Sequence, residues 1–387
     1  MPGQKPDVEK ISLRMESIWM DAENRIIQDV VRRIRQYGKI TSTADYQINR
    51  LIALGKSTEE IERILKESLD ATYPKMFELY DNVIEWQYVR NKDLYEQINS
   101  EFISPEYNEW LLQISEAVKK QTEDELKNLA QSYGFAVLIG NKRVFMPFAE
   151  YYQKYVDAAI MDIISGGFDY NTVMRRVVTQ MTNSGLRTAN YATGHSNRTP
   201  VAVRRAILSG VGQINGKVNE RNASMLGTDY FEIDWHPAAR PSHREWQGKV
   251  YSYEQLHTIC GLGTVTGLCG ANCYHDYHPF VKGISERMYA DKWLSEQNKI
   301  ESRTIAWNGK EMDAYERTQK QRQMEASMRA QRSKIKALKV GEYDKDKLII
   351  EKAKYRGQLY EYTVFCNKMG LNQQRERIYM DMLGRVV

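Results

Sequence analysis

His236, His243, Cys260, Cys269, Cys273, His275 and His278 place seven side chains of metal-binding type within 43 residues of a chain that holds only ten His and Cys among its 387 residues. Zinc takes four such groups in a tetrahedron, and short spacings suit it because one tight backbone turn can deliver two ligands at about 2.0–2.3 Å. Cys269-x3-Cys273-x-His275 supplies three candidates and His243 a fourth. His243, Cys269, Cys273 and His275 are therefore the candidate ligands of one structural zinc, with Gly267 and Gly270 giving the loop its backbone freedom.

Two other chemistries fit the same residues. Free cysteine is among the most buried residue types, and a buried histidine often does no more than complete a hydrogen bond, so metal-free packing is one alternative. Catalysis is the other, with Cys269 or Cys273 as a nucleophile beside a histidine. A Cys-x-His triplet in extended chain points its two side chains apart, which weakens that option. A metallohydrolase would need an open ligand position and a nearby base, for which Glu245 and Asp276 are the local carboxylates.

The elements that must position these groups are mostly helical. From residue 10 to about 198, apolar residues such as Met15, Ile18, Ala22, Ile26, Val30 and Ile34 recur at three- and four-residue steps. The first helix is expected to stop at Gly38, and a second from Thr41 to Ala53 to close at Gly55. Ser57-Thr-Glu-Glu60 then forms a capping box, Pro74 sits in the first turn of a further helix, and Ser104-Pro105-Glu106 opens another. Phe135–Ile139 and Arg143–Phe145 flank Gly140-Asn141-Lys142 as a small hairpin. A helix over 199–226 leads into Tyr230–Trp235, whose alternation predicts a half-buried strand. Residues 236–283, rich in Gly, His, Cys and Pro, read as a loop-rich module, and a long charged helical run to Leu338 follows. The expectation is an α+β, mostly α chain in three parts: a helical region over 1–198, the Cys/His module over 199–284 and a helical, partly basic region over 285–387.

Composition excludes several classes. Hydrophobic residues at 42% and charged ones at 27% are globular values. No window reaches the 18 or so uninterrupted apolar residues of a membrane span, and MPGQKPDVEK lacks the apolar core of a signal peptide, so the protein is expected to stay in the cytoplasm where it is made. Four cysteines are too few for a disulfide framework. The net charge of +5 is modest, yet Tyr315–Lys339 carries eight Lys and Arg against two Glu. Arg329, Arg332, Lys336 and Lys339 fall on neighbouring turns there, and such a face could meet DNA phosphates or simply solvent. The 25 tyrosines suit core and subunit contacts alike.

HPAARPSHREWQGKVYS from His236 to Ser252, followed by GLGTVTGLCGANCYHDYHPFVKG from Gly261 to Gly283, resembles the phage minor capsid protein 2 family, itself similar to phage Mu F-like head morphogenesis proteins. TSTADYQINRLIALGKSTEEIERIL from Thr41 and YERTQKQRQMEASMRAQRSKIKAL from Tyr315 resemble the family too, so the likeness covers most of the chain. Tyr274 departs from it, since the family usually has a basic residue before the histidine. Mu F-like relatives often have Cys where this chain has His243, an exchange that a metal ligand permits. The resemblance implies a structural protein without enzymatic activity, assembled in the bacterial cytoplasm and carried in the virion at the portal vertex or capsid interior. Its implied partners are the portal protein, the major capsid or scaffolding protein and packaged double-stranded DNA, with the helical N-terminal half as docking surface. A virion-associated metal-dependent hydrolase or nuclease, or an internal DNA-binding protein, is the alternative.

Overall fold

A computed structural model describes residues 5–40, 42–98, 100–189, 195–270 and 273–387. The protein is α+β and mostly α. Its described strands form three small antiparallel sheets, of four, three and two strands. The chain divides into two compact units, each assembled from three separated segments. One comprises residues 13–73, 125–204 and 321–387, and the other residues 1–12, 74–124 and 205–320.

In the first of these units, the helix Val8–Ile40 buries Met15, Trp19, Ala22, Ile26, Ile27, Val30, Val31 and Ile34 completely, the period expected from the sequence. It does not stop at Gly38. A Cβ there would press on Ile163, so this glycine serves close approach, not termination. Helix Thr43–Val89 likewise runs through Gly55, Ser57 and Pro74 without a break, while Thr41 lies outside the described residues. An interior glycine costs only about 0.5–1 kcal/mol, which one long buried face outweighs. Ser57 caps nothing; its buried hydroxyl donates to Asp29 Oδ2 at 2.7 Å.

The expected hairpin is present as β1 (Tyr133–Ile139) and β2 (Lys142–Pro147), extended by β3 (Arg187–Ala189) and β4 (Ser196–Arg198). Buried Glu23 anchors this sheet, accepting the Leu186 N–H at 2.8 Å and pairing with Arg198 at 2.5 Å.

The second unit holds β5 (Tyr230–Ile233), β6 (Val250–Ser252), β7 (Tyr277–Pro279), the helix Thr199–Met225 beyond residue 204, and the end of Thr43–Val89. The helix expected at Ser104 starts later: Pro105–Tyr107 forms one tight turn, and Glu109–Gln131 follows with the Asn108 side chain accepting the Leu111 N–H. The charged run after residue 285 is not one helix either. Helix Asp291–Glu301 gives way to a hairpin of β8 (Ile305–Trp307) and β9 (Lys310–Met312), and only then does Ala314–Val340 begin. Asn308 and Gly309, at φ 48° and 80°, make the left-handed two-residue turn that Asn-Gly favours.

Arg332 is 2% exposed and grips Asp381 with two hydrogen bonds of 2.7 and 3.0 Å while also donating to the Gly384 carbonyl. Arg332→Ala strands the Asp381 carboxylate in the interior, and urea unfolding of this variant is expected to show a loss of about 3–5 kcal/mol.

Candidate metal centre

Strands β5 and β7 position the centre. Their register sets Phe231 opposite Pro279, Glu232 opposite His278 and Ile233 opposite Tyr277. One face carries Phe231, Ile233 and Tyr277 into an apolar cluster with Ala223, Trp246, Leu256, Cys260 and Leu268. The other face was expected to meet solvent but is buried as well. Glu232 accepts the Met288 N–H at 2.9 Å, and Asp234 takes hydrogen bonds from Lys5 Nζ and His278 Nε2, each at 3.0 Å. A polar strand face is tolerated in an interior when each group finds a partner.

His243 sits on the single turn Pro241–Arg244, held from both sides. Arg244 pairs with Asp313 at 2.9 Å, and the Ala238 N–H donates to Glu301 at 2.6 Å. The ligand-type atoms of His243, Cys273 and His275 all lie within 4.8 Å of one another. Cys273 Sγ is 3.9 Å from His243 Nδ1 and 3.4 Å from His275 Nδ1. The outer nitrogens are fixed as well: His243 Nε2 is 2.9 Å from the Thr266 carbonyl oxygen and His275 Nε2 is 2.8 Å from Gln247 Oε1. Burial holds both imidazoles below the usual histidine range, His275 down to about 2 with the help of neighbouring His236 and His243. Burial also raises the Cys273 thiol. This pocket therefore presents neutral imidazoles and a protonated thiol.

Three of the four residues singled out in the sequence thus meet, and Cys269 stands outside that group of ligand atoms. Its thiol donates to the His275 carbonyl at 3.5 Å, its backbone has φ 57°, and its side chain packs against the apolar cluster. Cys260 is a core residue, its thiol pushed up to about 12 by burial. His236 contributes a buried Nε2 with no hydrogen-bond partner among the described residues, and its ring meets the His275 ring edge-on at 4.9 Å. His278 belongs to a second buried group with Asp234 and Asp276. There Arg90 Nη1 lies 2.8 Å from the His278 ring nitrogens, and Gln87 Nε2 donates to Asp276. Burial alone would raise the Asp234 carboxyl, but His278 and Lys5 at its oxygens hold it well below the usual range, whereas fully enclosed Asp276 is raised. No local pattern pointed to Lys5, Gln87 or Arg90, each more than 140 residues from its partner in sequence.

The carboxylates weighed as bases do not join the His243 group. Glu245 is exposed, and Asp276 is taken by Gln87 and by its own neighbour Tyr277 N–H. Of the four cations weighed for DNA, Arg332 is buried against Asp381, Arg329 donates to the Arg377 carbonyl at 2.5 Å, Lys336 is half-buried, and Lys339 is exposed with Nζ 2.6 Å from the Val386 oxygen.

The family model for phage minor capsid protein 2 matches residues 5–361. The chain belongs to the phage minor capsid protein 2 family. Compared with curated proteins and with solved structures, it gives no match. A minor capsid protein of this family is a structural component of the virion, and its partners are other capsid components. Among the described residues no helix is long and apolar enough to cross a membrane.

The motifs of this minor capsid protein now have physical reasons. In Gln247-Gly248-Lys249, Gln247 Oε1 accepts both the His236 backbone N–H at 3.0 Å and His275 Nε2, while Gly248 turns the chain at φ 71°. In Gly267-Leu268-Cys269-Gly270, Leu268 enters the core, and a Cβ on either glycine would collide with backbone oxygens, of Gly261 in one case and of Thr264 and Val265 in the other. Neither glycine has positive φ, so both supply room and not the conformational freedom expected of them. Ala271 and Asn272 lie outside the described residues. Gly267→Ala is expected to cost about 1–3 kcal/mol in chemical denaturation, because the obstacle is main chain that cannot rotate away.

Proposed function

We propose that this minor capsid protein docks to the portal or the inner face of the shell during head assembly, through the outer faces of its long helices. Support comes from helix Thr43–Val89, where Ile48, Leu51 and Ile52 stand 76, 65 and 55% exposed at i, i+3 and i+4 spacing. Exposed aliphatic side chains in one stripe, flanked by Asn49 and Arg50, form a small apolar face with a polar rim, the composition of a protein interface. The family supplies the class of partner, since a minor capsid protein acts among other shell components. The Cys/His module contributes a rigid body between helical segments and no reaction.

Retention of the full chain on immobilised portal rings tests this directly. The native protein is expected to be retained, and the double variant Leu51→Asp, Ile52→Asp to lose at least about tenfold in affinity, roughly 1.4 kcal/mol, with an unchanged circular dichroism spectrum. If neither portal nor major capsid protein retains the native chain, the docking reading is wrong.

A further inference from the structure

The hydrogen bonds around the histidines determine where their lone pairs point. The Thr266 carbonyl oxygen can only accept, so His243 Nε2 carries a proton and Nδ1 is a lone pair. Gln247 Oε1 receives the His236 backbone N–H, which identifies it as the oxygen of the amide. The same atom 2.8 Å from His275 Nε2 makes that nitrogen a donor, leaving His275 Nδ1 a lone pair too. Both lone pairs face Cys273 Sγ. His236 lies beside them, its ring edge-on to that of His275 at 4.9 Å and its buried Nε2 without a partner among the described residues.

One thiol proton can serve one lone pair, so a metal-free pocket leaves buried acceptors unsatisfied at a cost of about 1–3 kcal/mol each. A single cation among them removes the deficit and takes the thiolate as well. We propose that His236, His243, Cys273 and His275 bind one zinc ion in a closed structural site, with Cys269 outside the ligand set. Tetrahedral zinc with ligands at about 2.0–2.3 Å separates sulfur from nitrogen by roughly 3.5 Å. The observed 3.4 and 3.9 Å bracket that value. Outer nitrogens donated to a carbonyl or amide oxygen are what metal-bound histidines have, because that contact sets tautomer and ring orientation. Imidazole with thiolate selects zinc over magnesium or calcium, which prefer oxygen. His236 Nε2 stands outside the three atoms that lie within 4.8 Å of one another, and a rotation of its ring would bring it to the fourth position. Three nitrogens and one sulfur leave no coordination position for water, and the ion ties the Pro241–Arg244 turn, Cys273, the chain after β5 and the chain before β7 together.

Elemental analysis of full-length protein purified from zinc-supplemented cells is expected to give one zinc per chain. Stripping it with a chelator lowers the melting temperature by several degrees, and added zinc restores it. Cobalt in place of zinc gives the intense visible bands of a tetrahedral ion with a thiolate-to-metal charge-transfer band. Cys269→Ala keeps the metal, whereas His236→Ala and Cys273→Ser each weaken binding at least tenfold. Native protein without zinc, showing no cobalt spectrum and no response to chelator, overturns the site. Loss of metal in Cys269→Ala with full binding in His236→Ala overturns the ligand set. All three measurements on the native chain are independent of variant folding. The inference goes beyond the docking reading, since metal content and retention on portal rings vary independently.

Discussion

Asp234 is the group on which the Cys/His module turns. It lies in the interior beside the short strand β5, where an unpaired carboxylate would not be tolerated, and its oxygens take hydrogen bonds from Lys5 and His278. His278 in turn meets Arg90, whose guanidinium stacks on Trp86 at 4.6 Å. The Asp234 N–H donates to the Asp276 carbonyl at 2.9 Å, so the same residue continues the β5–β7 ladder beyond its last full pair. That contact brings together the chain that follows β5 and the chain that precedes β7, which is where His236 and His275 sit. A three-stranded sheet of three- and four-residue strands has little apolar surface of its own, and its register has to be specified by something. Here a buried carboxylate does it, because a one-residue slip would send Asp234 into the apolar face and part it from Lys5 and His278.

Much of this was legible in the sequence, and the misses have common causes. The α+β, mostly helical class followed from hydrophobic period, and the hairpin after Tyr133 from its Gly-Asn turn. His243, Cys273 and His275 were visible because metal-type residues are rare and were dense. Cys269 shared that density, but density cannot report which way a side chain points, and a positive φ turns its thiol toward a carbonyl. His236 lies in the same dense stretch, and nothing in the sequence shows that its Nε2 is buried without a partner among the described residues. The hairpin after Ile305 had its signal in Asn308-Gly309, hidden inside a stretch whose charge resembled a helix surface. What no local pattern displays is assembly from distant segments. Lys5, Gln87 and Arg90 reach the module only because residues 5–12 and 74–124 fold with 205–320.

Breaker residues and charges illustrate one rule from two sides. Gly38, Gly55 and Pro74 were taken as punctuation, yet all three lie inside helices, because long apolar faces outweigh local costs of about a kcal/mol for glycine and a few for proline. The basic run was counted as surface charge, yet Arg332 and Arg329 hold the C-terminal segment from within. In both cases tertiary packing assigns the use of a residue whose type only restricts it. Arginine suits the interior task because its planar fork engages a carboxylate with two bonds, as with Asp381, whereas a lysine in the same place would be a single point charge.

For the module, loop geometry favours architecture over catalysis. A site that turns over substrate needs a vacant coordination position or a mobile wall, and a base within reach. Around His243 and His275 the loop is fixed by glycines with no space for a methyl group, by a Thr264 hydroxyl closing onto the Gly261 carbonyl at 2.7 Å, and by outer imidazole nitrogens already engaged. The nearby carboxylates are exposed or spoken for, and burial keeps the thiol protonated, which is the opposite of what nucleophilic cysteine requires. A wall of closely packed main chain and two imidazole lone pairs aimed at one thiol have little to offer a substrate. They suit a knot that stays folded while the helices it is joined to are loaded by neighbouring shell proteins.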